Sequence, residues 1–204
     1  IHLLINSSMF KRNKVNFDHG GGIYFEGNNI NLCLNTIFLD NKAGSSGGAL
    51  YSSGSDIKSE VDFNVVSFLS NQAGDKGGAA YLSFCADIVV NHTRLKSNKA
   101  DHSGAAMAIF LLSDQSTTIN IAFSYLIKNA ANISCSTLYI FGRSTINQAN
   151  DWTGTHSMGT KSLLVHHNSF LILTNCTFSQ TITMKPEEDT NVNKVLKEGC
   201  IELV

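Results

Sequence analysis

The sequence predicts an all-β fold, a parallel β-helix of about six to seven stacked coils. Two observations carry that expectation. The first is a repeat: Phe68, Asn71 and Ala73 are followed by a short polar turn and then by Gly77, Gly78, Ala79 and Tyr81. The same order is written upstream as Phe38, Asn41, Ala43, Gly47, Gly48, Ala49 and Tyr51, and more loosely as Phe10, Asn13, Gly21, Gly22, Ile23 and Phe25. Downstream it thins to Leu95, Asn98, Ala100, Gly104, Ala105 and Ala106, and then to Leu126, Asn129 and Ala131. Successive lead residues are 28, 30, 27 and 31 positions apart, a period that means stacked units. The second is short-range alternation. Leu3 and Ile5, Val61 and Phe63, Ile88 and Val90, Ile119 and Ile121, and Leu171 and Leu173 are apolar pairs at period two, bounded by Gly, Asn, Ser and Asp. That is strand, not helix, periodicity.

Taken in order, residues 1–13 finish a first coil, with Leu3 and Ile5 inward and Asn13 at a corner. Residues 20–41 form a compact second coil. The Ser/Gly/Asp-rich insert 52–60 is expected as a surface loop. Further coils span residues 77–98 and 104–129. In each, apolar residues sit seven and five positions before the lead residue and again at minus two and zero. Such a change of parity requires a bend or bulge, placed near Asn64-Val65. The face of the Gly-Gly-Ala strand stays open, because Ala49 and Tyr51 compete with Leu50 for the interior. Residues 136–141, 162–167 and 170–178 return to strand. Residues 142–161 form a polar insertion loop, so residues 1–183 make one solenoid domain. Residues 184–204 are a tail that caps the solenoid, as a short helix, or starts a further domain.

The column Asn13, Asn41, Asn71, Asn98 and Asn129 is expected to stack as an amide ladder at the strand spacing of about 4.8 Å. Asn also tolerates the left-handed backbone of a tight corner. The glycine pairs serve the opposite corner, where a positive φ or a close coil-to-coil approach excludes a Cβ. This combination, F-x-x-N followed by G-G-A-[ILV], resembles the repeat of the chlamydial polymorphic outer-membrane-protein family and related surface proteins. The likeness is good from Phe10 to about Asn129. It implies a right-handed parallel β-helix with extracellular adhesive or structural roles.

The chain has 204 residues, a formal net charge of −1 and only 15% charged residues, which gives no overall electrostatic footprint for nucleic acid or anionic membrane. Its one proline, Pro186, suits a fold in which central strands need every ladder donor. Four N-x-[ST] sequons, at Asn6, Asn91, Asn132 and Asn175, point to a secreted eukaryotic glycoprotein. The five cysteines, Cys33, Cys85, Cys135, Cys176 and Cys200, show no zinc spacing. Cys33 is placed in the column of Phe63, Val90 and Ile121, as a buried apolar filler. Cys176 and Cys200 lie close enough along the chain to tie the tail to the last coil by a disulfide. The longest apolar runs, such as 105–112, are too short to cross a bilayer. Ile1 enters directly on a strand pattern, which reads as an internal piece or processed form of a longer chain.

Enzymes on this fold cleave polysaccharides with clustered carboxylates. This chain has no Asp-Asp pair, no Gly-His-Gly and only three arginines, Arg12, Arg94 and Arg143. Asp18, Asp75 and Asp101 recur before the glycine corner and could stack as a carboxylate column able to bind calcium, against the plainer reading of solvated turns. His19 and His102 share that corner with Lys76 between them. His166 and His167 are adjacent in a strand and cannot chelate one ion. Trp152, in its loop with Asp151 and His156, is the best single contact residue, against the plainer role of packing its own loop. The expected function is thus an extracellular structural or adhesive solenoid segment, at the cell surface or secreted. Its expected partners are copies of itself, other surface or matrix proteins, or glycans, with no nucleic acid, no membrane insertion by this segment, no metal and no cofactor. The alternative is a polysaccharide lyase or hydrolase with a divergent site.

Overall fold

The computed structural model describes residues 1–27, 29–54, 60–85, 87–110, 117–122, 124–133 and 137–141, together with the strand backbones of Ser144–Trp152, Leu163–His166, Phe170–Phe178 and Val195–Leu196. Every strand pair among them is parallel, and strands pair only with their counterparts in neighbouring rungs. Three sheets run side by side along a common axis: a long sheet of eleven strands, a short sheet of six and a corner sheet of five. The protein is a parallel β-solenoid.

The strands of the corner sheet, Lys14–Val15, Lys42–Ala43, Gln72–Ala73, Lys99–Ala100 and Ala130–Ala131, are five rungs separated by four full turns. That is fewer than the six to seven coils expected. The long sheet goes on through Ser144–Trp152, Phe170–Phe178 and the two-residue strand Val195–Leu196. Ser144–Trp152 falls in the stretch expected as loop. It pairs in register with Thr117–Ala122, Ile146 opposite Ile119. Ladder bonds join backbones, so one well-registered apolar residue can continue a sheet through a polar sequence. At the other end of the expected 52–60 loop, Ser52 is buried in the strand Leu50–Ser53.

The core consists of columns of like residues. Ile30, Val61, Ile88 and Ile119 are stacked by register, as are Leu32, Phe63, Val90 and Ile121. The lead residues form a third column, in which Phe10, Phe38 and Phe68 lie face to face with ring centroids 4.9 Å apart. Each buried side chain of this size contributes roughly 1.5–3 kcal/mol through its apolar area. The long strands stay inward on both sides of a parity switch because one residue at the switch adopts a left-handed backbone, Val65 at φ 58° and His92 at φ 47°.

That switch corrects the expectation for Cys33. The Phe38 rung carries two left-handed residues there, Leu34 and Asn35, where the Phe68 rung carries one. The register therefore shifts between Cys33 and Thr36. Counting back from Phe38 is off by one: Leu32 pairs with Phe63 and fills the column, while Cys33 pairs with Asn64 and is only half-buried. Among the described residues Cys85 is the thiol in the core.

The glycine register is corrected in the same way. Gly20, Gly47, Gly77 and Gly104 are the positive-φ glycines, so Gly20, not Gly21, matches Gly47. The first rung has one extra residue at this corner, and Phe17 is 96% exposed there. The second glycine of the pair is required by proximity. A Cβ at Gly48 would lie 2.1 Å from the Gly78 carbonyl oxygen of the next rung.

Candidate functional site

Side chains of like position form columns on this solenoid, so each candidate site is a column. The asparagine column is continuous. Nδ2 of Asn13 donates to Oδ1 of Asn41 at 2.9 Å, Asn41 to Asn71, Asn71 to Asn98 and Asn98 to Asn129, each of these three at 3.0 Å. Each Oδ1 also accepts the backbone N–H of the preceding asparagine. The second Nδ2 hydrogen goes to the lead-residue carbonyl one rung back, as from Asn71 to Phe38 at 3.1 Å. Two donors and two acceptor lone pairs are thereby filled in the interior amides of Asn41, Asn71 and Asn98. The backbone argument for asparagine is corrected: the left-handed residue is the one before it, Arg12, Asp40, Ser70, Ser97 or Lys128. Asn is required for its amide, which no other side chain of that length supplies in both senses.

The expected carboxylate column does not form. Backbone bonds align Asp18, Ser45, Asp75 and His102 in one column, so Ser45 separates the two aspartates by about 10 Å over two strand spacings. Asp101 lies one residue earlier and accepts from Asn132 at 3.3 Å. His102 is thus level with Asp75, whereas His19 is level with Ser46 and Lys76, and Lys76 does not stand between the two imidazoles. Lys76 closes on its own neighbour Asp75 at 2.9 Å. Among the described residues no group of three His, Cys, Asp or Glu could hold a metal ion.

The open question of the short sheet is resolved in favour of Leu50. Leu50, Ala80, Met107 and Leu138 point inward, and Tyr51 outward. An external aromatic ladder follows, with Tyr24, Tyr51 and Tyr81 stacked at 5.2 and 5.0 Å and nearly parallel. Ala108 interrupts the column, but the Phe110 ring fills the gap, 5.1 Å from Tyr81 and 5.6 Å from Tyr139. His19 stacks on Tyr51 at 4.3 Å. The Tyr24 hydroxyl donates to the Glu26 carboxylate, which holds its pKa up at about 12. Stacking covers the ring faces and leaves edges and hydroxyls outward. This ladder was hidden in the sequence because the glycine corner gives no parity cue; the recurrence of Tyr24, Tyr51 and Tyr81 was its one signal.

The sequon residues are distributed over two faces. Asn6 and Asn91 belong to one outer column of the long sheet, together with Cys33 and Asn64, and Asn132 is exposed beyond the corner sheet. The sequon hydroxyls are structural as well: Ser8 donates to the Asn6 carbonyl at 2.8 Å and Thr93 to that of Asn91 at 3.0 Å. Ser124 makes the same bond to Ala122, where no sequon exists. A Ser or Thr two residues after the column position is therefore part of the bend, whatever precedes it. The Asn91 Oδ1 is buried without a hydrogen-bond partner. Trp152 ends a long-sheet strand opposite Phe178, next to Asp151 opposite Thr177. Cys176 and Asn175 lie in the strand Phe170–Phe178, and His166 ends the strand Leu163–His166. The side chains of these residues, and Cys135, His156, His167 and Cys200 altogether, lie outside the described residues.

The fold and its columns define a parallel β-solenoid built on a corner amide ladder. Residues 35–53, which carry Phe38, Asn41, Gly47 and Gly48, match the family model of the Chlamydia polymorphic membrane protein repeat. The chain thus carries a repeat of that type, seen here as the geometric unit of each rung. No curated protein and no solved structure matches the chain.

Proposed function

We propose that this chain is a segment of a surface-borne, extracellular solenoid glycoprotein with a structural or adhesive role, extended into a longer rod or assembled with other copies. The observation that carries the reading is the closed amide ladder on a repeat matched to a surface-protein family. A column whose amides satisfy one another rung after rung suits a stiff spacer that displays its outer faces. The exposed Asn6 and Asn132 are the attachment points for glycans on this reading, and the edges of the outer aromatic ladder are a contact face for a partner.

Cells producing the full protein are treated with a membrane-impermeant amine reagent and the lysines are mapped by mass spectrometry. The reading expects modification of the exposed Lys42 on intact cells. Modification only after lysis would overturn it.

A further inference from the structure

We propose that the asparagine corner of the solenoid is a docking stripe for a linear polyanion, an acidic polysaccharide lying along the solenoid axis. The near-zero net charge hides a partition around the circumference. Nine Lys and Arg side chains are described, and all but Lys76 lie on this one corner. Lys14, Lys42 and Lys99 occupy one column of the corner sheet, with Gln72 between the last two. Lys11 and Lys96 stand one residue after their lead residues, Arg94 one before, and Arg12 and Lys128 occupy the left-handed position. All are exposed except the half-buried Lys96. The only described carboxylate on this corner is Asp40. Asp18, Asp75 and Asp101 lie at the next corner, and Glu60, Asp62 and Asp87 at the start of the long sheet.

The arrangement is costly to the fold alone. Lys14 and Lys42 are directly opposite on adjacent strands, a placement in which like charges destabilise. Among the described residues the ion pairs are Asp18–His19 and Asp75–Lys76, so no carboxylate there forms an ion pair with the stripe.

Its dimensions select the ligand. From the Lys14 rung to the Lys128 rung is four strand spacings, about 19 Å. The screening length at physiological salt is about 8 Å, so a small anion feels only part of the stripe. A linear polyanion laid along the axis meets every rung. Lysines dominate, giving point charges without the planar fork of arginine. Sequence-tolerant binding of single-stranded nucleic acid needs aromatic platforms within the groove. Here the aromatic ladder is on the short sheet, and among the described residues the exposed Phe and Tyr rings near the stripe, Phe17 and Tyr125, lie on different rungs. The glycan is therefore favoured over the nucleic acid.

The test is binding of the 204-residue chain to heparin and to chondroitin sulfate as a function of salt, with uncharged dextran and a single-stranded oligonucleotide as comparisons. Binding to the acidic glycans, none to dextran, and a salt slope that falls by about one for each of Lys14→Gln, Lys42→Gln and Lys99→Gln are expected. Lys76→Gln should leave affinity and slope unchanged. Acetylation of the unmodified protein supplies a readout that needs no variant: heparin should protect Lys14, Lys42 and Lys99 and leave Lys76 reactive. No salt-dependent glycan binding, equal protection of Lys76, or tighter binding to the oligonucleotide at matched charge would each overturn the proposal.

Discussion

At the scale of single residues, asparagine and glycine do different work from what their turn preferences suggest. Asn71 sits in the middle of the ladder, and Asn71→Ala would strip the acceptor from the Asn41 backbone N–H and from its Nδ2. Buried donors left unpaired cost about 1–3 kcal/mol each. A loss of roughly 3 kcal/mol in chemical denaturation is expected for Asn71→Ala, against about 1 kcal/mol or less for the exposed Asn13→Ala at the first rung. Thiol titration tests the corrected register. Burial pushes the Cys85 thiol up to about 12, so in the native protein at mild pH it should resist a disulfide reagent that modifies the half-buried Cys33. Reaction of Cys85 before Cys33 would restore the original alignment. The asparagine column was legible in the sequence because it recurs at a fixed distance from an apolar lead residue. The left-handed residue before it was not, since Arg12, Asp40, Ser70, Ser97 and Lys128 share no chemistry. Their backbone is set by the corner, not by their side chains.

At the scale of elements, the rung is the unit of packing. Phe68 is fully buried, stacked on Phe38 and tilted against Phe63 at 5.3 Å. Phe68→Ala should cost about 3–5 kcal/mol, measured from the unfolding midpoint, because neighbours held by their own ladders cannot collapse into the space. The strands with two inward apolar residues could be read from alternation, as at Val61 and Phe63. Two things could not. One extra residue at Leu34-Asn35 moves every position upstream of it by one, which displaced Cys33. At the first glycine corner the run Gly20-Gly21-Gly22 offers two places for the glycine pair, and only the positive φ of Gly20 shows which one matches Gly47. Bulges of this kind are absorbed locally by left-handed backbone, so they leave the register on either side intact and leave little trace in composition. Ser144–Trp152 was missed for a different reason: a strand formed from a polar sequence.

At the scale of the molecule, a solenoid separates faces that a linear sequence interleaves. The basic corner is spread over four spans of sequence around the lead residues, and any window that takes in whole rungs also takes in the acids of the other faces. Averaging thus returned a formal charge of −1 where the surface carries a stripe. The carboxylates Asp18, Asp75 and Asp101 looked stackable in sequence; in space Ser45 of the intervening rung parts Asp18 from Asp75, and a one-residue offset takes Asp101 out of the column. Alkaline stability is also a property of the whole. Burial is the main cause that raises the pKa of both Cys85 and Tyr81 to about 12. The unfolded chain therefore ionises first, near pH 9 for the thiol and near 10 for the phenol. Stability attributable to these groups is full below about pH 9 and is lost as pH rises towards 12, so the denaturation midpoint should be flat up to that point and then fall.

The central claim is that successive rungs rest on one another through the corner amides. It is tested most directly by side-chain amide NMR of the chain. The account predicts sequential cross-peaks linking Asn13 to Asn41, Asn41 to Asn71, Asn71 to Asn98 and Asn98 to Asn129, with hydrogen exchange far slower in the buried amides than in the exposed Asn31. Amides of these residues that exchange as fast as Asn31 and show no mutual cross-peaks would contradict it.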